Sequence, residues 1–140
     1  MSEQKQEQAV DRLKNEYAEV NQNLRHYSGL RFAIFSVFFA VMAGTAGLSF
    51  SSGQFTPFAA TAAKVGGLIA TLVFWNFEER TLRLLTHFGK VAAELERSLG
   101  YTQLSTRPPA KFPVLDSGII TRLFFLILTA FWVYTLIANP

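Results

Sequence analysis

Residues 65–99 constrain this chain more than any other stretch. An almost purely apolar run, GGLIATLVFWNF, passes without a proline into EERTLRLLTHFGKVAAELERSL, which is charged and amphipathic. A helix that starts apolar all round and ends with a single apolar stripe lies first in lipid and then in water. The change falls at Trp75-Asn76-Phe77 followed by Glu78-Glu79-Arg80, an aromatic girdle met at once by charge. A membrane interface selects that order. The stretch is expected to be a span over 58–77 that emerges as a stalk over 78–99, with only Gly89 weakening the later part.

The remainder of the chain repeats the alternation. Residues 1–27 are polar, but Val10, Leu13, Tyr17, Val20, Leu24 and Tyr27 recur at spacings of three and four and make one stripe. This reads as an amphipathic helix, packed within its own subunit or in a coiled-coil-like contact between subunits. Ser28-Gly29 punctuates the pattern. Phe32 to Phe50 then runs without a charge, about 28 Å of helix and close to a hydrocarbon thickness. A first span over 30–50 follows, retained rather than cleaved because a polar helix precedes it. Residues 51–57 form a short uncharged turn. Gly100 is placed to end the stalk helix, and Pro108, Pro109 and Pro113 make 100–117 an irregular return. Asp116 or Ser117 caps a third span over 118–138, whose apolar part from Leu123 covers about 24 Å. Arg122 snorkels at its start.

The expected fold is an all-α membrane protein with three transmembrane helices and a cytosolic layer of two amphipathic helices, the second span continuing into the stalk. In the layer, Leu13, Tyr17, Val20 and Leu24 face Leu84, Phe88, Val91 and Leu95. Small residues mark where helices approach in lipid: Ala40 with Gly44 and Ala43 with Gly47 on the first span, Ala59, Ala63 and Gly67 on the second. Orientation follows from the cations. Lys5, Arg12, Lys14, Arg25 and Arg31 precede the charge-free run of the first span. Arg80, Arg83, Lys90, Arg97, Arg107 and Lys111 lie between the second and third, while the 51–57 turn and the C-terminus carry none. Cytoplasmic segments are the ones rich in Lys and Arg, so the N-terminus is expected inside and the C-terminus outside. The basic ends can also touch anionic headgroups.

Little chemistry is legible. There is no cysteine, which excludes disulfides, thiolate zinc sites and cysteine nucleophiles, and two histidines leave little for a metal. No phosphate-cradling, dinucleotide, zincin or hydrolase motif occurs. Lys64 is the one charge inside the second span. It either packs or snorkels at the mouth, or lines a water-filled path in a ring of copies. Asn76 lies about 120° from it round the helix, so the two do not share a narrow face. Arg80 and His87 are the only weak catalytic candidates, an R-x6-H pair within the loose signature of a class of helical ribonucleases. The same spacing arises on any amphipathic helix. No enzyme, cofactor, metal or nucleic-acid partner is expected.

The order of segments carries a resemblance. A polar helix ends in Arg25-His26-Tyr27-Ser28-Gly29-Leu30-Arg31. Two spans lead to Phe74-Trp75-Asn76-Phe77-Glu78-Glu79-Arg80, and a helix closing on Ala93-Glu94-Leu95-Glu96 and Leu99-Gly100 precedes a proline-rich loop and a last span. This resembles the RipA-like family of small octameric bacterial inner-membrane proteins, and distantly the octameric membrane-pore accessory protein of type VI-B CRISPR systems. The resemblance implies a homo-oligomeric ring in the inner membrane that alters permeability, in phage defence or stress. The alternatives are a non-conducting scaffold whose stalk recruits a cytosolic protein and, less favoured, a membrane-tethered ribonuclease.

Overall fold

The computed structural model describes residues 3–51, 56–103, 106 and 117–138. All secondary structure among them is helical: α1 (Glu3–Phe50), α2 (Pro57–Leu99) and α3 (Ser117–Ala138). Each contains a window long and apolar enough to cross a membrane. The expectations for the centre of the first turn and most of the proline-rich return, Asp116 and the Ser117 side chain included, fall outside the described residues.

The helix ends follow local chemistry. The Thr56 hydroxyl accepts the Ala59 N–H at 3.3 Å and Pro57 fills the first helical position, the N-cap arrangement in which a missing proline N–H costs nothing. At the other end Gly100 turns left-handed with φ +72°. The Tyr101 N–H then reaches back to the Glu96 carbonyl at 2.9 Å, satisfying a carbonyl that the helix end would orphan. In contrast, Ser28-Gly29 does not divide the first amphipathic helix from the first span. Both residues lie inside α1, which runs unbroken for 48 residues. One helical glycine costs about 1 kcal/mol, less than the packing on either side of it returns. α3 likewise covers 22 residues, about 33 Å by rise, more than its apolar part alone.

The chain divides into two compact units, with boundaries inside α1 between Leu30 and Arg31 and inside α2 between Arg80 and Thr81. The first unit pairs the N-terminal part of α1 with the C-terminal part of α2. Its core is Val20, Ala92 and Leu95, ringed by Leu13, Tyr17, Leu24, Phe88 and Val91. Tyr27 stacks on Phe88 with centroids 5.6 Å apart. Ala92 sits at the centre because its single methyl admits Val20, and the buried face is turned slightly from the stripe of large residues. Thr81, Ala92 and Glu96 are buried while Leu84 and Val91 lie at the edge.

The second unit holds the rest of α1 and α2 with α3. Aromatic rings fill it. Phe38, Phe125 and Trp132 are its largest buried side chains. Phe38 lies 5.1 Å from Phe74 and 5.3 Å from Phe125, distances at which edge and tilted ring pairs attract. Trp75 stacks on Phe125 at 6.1 Å, so the aromatic residue expected at the lipid interface is also a packing element against α3.

Candidate functional site

The positions that stand out are polar groups buried among these rings. On α2 of the second unit, Lys64, Thr71 and Glu78 recur every seven residues, two helical turns, and all are buried. Lys64 is 5 % exposed. Its stem is therefore enclosed by the protomer and does not lie on an outer face. Thr71 is fully buried and resolves its hydroxyl locally, donating to the Gly67 carbonyl at 2.8 Å beside the Met42 sulfur at 3.7 Å. Gly67 is buried because α3 needs the space. A Cβ there would meet Trp132 Cζ2 at 2.5 Å. The Trp132 ring also stacks on Phe50, and its Nε1–H is buried with no hydrogen-bond partner among the described residues.

Glu78 and its neighbour Glu79 tie the three helices of this unit together. Arg31 of α1 donates to the Glu78 carboxylate from Nε at 2.6 Å and pairs through Nη2 at 2.5 Å, and the same Nη2 reaches the Thr121 hydroxyl of α3 at 3.3 Å. Arg122 of α3 grips Glu79 with two bonds, at 2.5 and 3.0 Å. Consecutive carboxylates on α2 thus point to different helices, one arginine on each. The Glu78 side chain is almost wholly enclosed while that of Arg122 is mostly exposed. The first pair is desolvated and costly to break, the second screened by its surroundings. Reading Arg122 as an isolated snorkelling group, and Arg31 only as a cation ahead of the first span, missed this clasp. Its signal was present: Glu-Glu closing one span, with an arginine opening each of the other two.

The first unit holds a second buried acid. Glu96 is fully buried, and the Tyr17 hydroxyl donates to it at 2.7 Å. Burial, and then the bond to Glu96, hold the Tyr17 phenol above its ordinary pKa of 10.0. Tyr101, carried round by the Gly100 turn, sets its ring 5.6 Å from that of Tyr17. A charged residue at a core position was not legible as one, since helical charges ordinarily face water.

The other anticipated residues are placed as follows. Ala40, Gly44 and Gly47 are exposed on α1, and a Cβ added at Gly44 or Gly47 would meet nothing within 4 Å. Ala59 and Ala63 are half-buried. Arg80 and His87 are both exposed and fall on opposite sides of the boundary between the units. His87 touches its own neighbour, Phe88, edge-on at 5.6 Å. No group of three metal-ligating side chains occurs among the described residues.

The fold and these buried positions define an all-helical protein with three candidate membrane spans, two of its helices extending well beyond the length that a bilayer needs. No protein-family model matches the chain, and comparison with curated proteins and with solved structures finds no match.

Proposed function

We propose that the chain is a multi-pass bacterial inner-membrane protein, N-terminus cytoplasmic and C-terminus periplasmic, that assembles with copies of itself into a ring. The first unit is then its cytosolic layer. One observation carries the assembly: the small residues of α1, Ala40, Gly44 and Gly47, lie bare on the surface of the protomer, with open space above both glycines. Close backbone approach is what such a face supplies in lipid, and among the described residues of one chain nothing uses it. Elsewhere the protomer does use a glycine in this way, at Gly67 against Trp132.

A path for solute would run between protomers, since Phe38, Phe125 and Trp132 pack the inside of one protomer. A permeability-altering ring, with defence or stress as its setting, is the first reading; eight copies and membership of the RipA-like family rest on the resemblance alone. The burial of Lys64 favours the second reading, a non-conducting scaffold that recruits a cytosolic partner, over a lumen lined by that lysine. Arg80 and His87 carry no reaction in either. Mass measurement of the detergent-solubilised protein tests the ring; a monomer at all concentrations refutes it. Ion flux through reconstituted liposomes separates the readings. Flux with unchanged ion preference in Lys64→Glu assigns the path elsewhere, and no flux leaves the scaffold.

A further inference from the structure

α2 carries a basic face that its own chain does not use. Arg83, Lys90 and Arg97 are exposed, with His87 between them, and none of the three cations has an ion-pair partner among the described residues. They stand roughly 150° round the helix from the face packed on α1. Glu94, also exposed, lies on the same face between Lys90 and Arg97. α1 has the complementary feature. Glu16 and Glu19 are exposed and likewise unpaired among the described residues, on a flank roughly 90° from the Val20 stripe. Intrachain contacts fix how the two features are levelled. Tyr17 bonds Glu96 and Val20 packs with Ala92 and Leu95, so the two helices run antiparallel. Glu16 is then level with Arg97. Glu19, about 4.5 Å along the axis, falls between Arg97 and Lys90, which are about 10 Å apart. Glu16 thus meets one end of the interval that the two cations bound, and Glu19 lies inside it.

We infer that in the assembly the Lys90–Arg97 face of one copy receives Glu16 and Glu19 of the next, an inference that rests on the homo-oligomer reading above. Copies related by rotation about an axis along the helices meet at equal levels, and a heterologous contact of this kind closes into a ring. The occupant is a second copy of this chain because the matching charges, at the matching level, are its own. Glu94 makes the face mixed in sign, which suits a patterned protein surface better than a polyanion.

The test uses the full chain in detergent. Reversing one side, with Glu16→Lys and Glu19→Lys together or Lys90→Glu and Arg97→Glu together, is expected to raise the concentration for half-assembly about tenfold or more. Salt is expected to weaken the wild type in the same direction. Combining both reversals in one chain restores assembly. The cysteine-free sequence allows a second reading if a reversed chain fails to fold. Chains carrying only Glu16→Cys are mixed with chains carrying only Arg97→Cys, and a disulfide-linked dimer forms, whereas Ala18→Cys chains, altered at an exposed position of α1 roughly 160° round the helix from Glu16, do not crosslink with them. Assembly that ignores both reversals, reversals not rescued by their combination, or mixed chains that stay unlinked overturn the pairing and leave the ring standing. A wild-type chain that remains monomeric at every concentration removes both.

Discussion

Gly67 shows how much one missing methyl group decides here. Its hydrogen lets the Trp132 indole lie against α2, and Gly67→Ala puts a Cβ 2.5 Å from Cζ2 and 2.6 Å from Cε2. The ring is rigid and enclosed, so the clash is relieved only by moving α3, at about 1–3 kcal/mol for overpacking of this kind. Thermal unfolding in detergent, followed by the emission of Trp132 with Trp75 replaced by Phe, is expected to show the loss. Gly44→Ala, which meets open space within the protomer, is expected to leave that midpoint unchanged. Tyr17 gives a second case. Removing its hydroxyl strips the buried Glu96 of a donor, a loss of about 1.5–3 kcal/mol for a bond to a charged group. It also has a sign in pH. The folded phenol titrates above its ordinary value, so the bond's contribution is whole below the unfolded value, near 10.0, and disappears as pH rises through the higher folded one. The unfolding midpoint of the wild type is therefore expected to fall more steeply above pH 10 than that of Tyr17→Phe, and parallel curves would refute the linkage.

The helices are long because nothing in them offers an exit. α1 contains no proline and keeps Tyr27 against Phe88 in one unit and Arg31 on Glu78 in the other, so the helical state is favoured on both sides of Gly29. α2 is held to two partners by consecutive acids, and the two clasps differ in burial. Arg31→Ala leaves a carboxylate that is 3 % exposed without its cation, which costs about 3–5 kcal/mol for a buried pair broken on one side. Arg122→Ala releases a pair whose arginine side chain is 58 % exposed, worth about 0–1 kcal/mol. Denaturant titration of the two variants is expected to rank them in that order by a wide margin; equal losses would show that the enclosed pair is not the fastening of α1 to α2.

The structure has three candidate membrane spans, and the proposed topology puts their charged ends on one side. Reporter fusions are expected to place the turn between α1 and α2 on the side opposite to the return between α2 and α3, with the C-terminus on the side of the first turn. Finding both connections on one side of the membrane would overturn the topology, and the ring with it. The exposed small residues of α1 then predict that Gly44→Leu lowers the assembled mass without lowering helix content, since Gly44 is exposed and a Cβ there meets nothing within 4 Å inside the protomer.

Which segments are helical and apolar was legible in residue order, because a bilayer imposes length and an absence of charge that any window of sequence displays. The left-handed stop at Gly100 and the face joining Tyr17, Val20 and Phe88 were legible for the same local reason: spacing along a helix is geometry that the chain carries with it. The clasp of Arg31, Glu78 and Thr121 with Arg122 and Glu79, the buried pair of Tyr17 and Glu96, the notch of Gly67 under Trp132 and the enclosure of Lys64 were not. Each joins groups far apart in the chain, and whether an arginine meets lipid, water or a particular carboxylate depends on which helix arrives beside it. Only packing in three dimensions decides that, because burial is a property of neighbours.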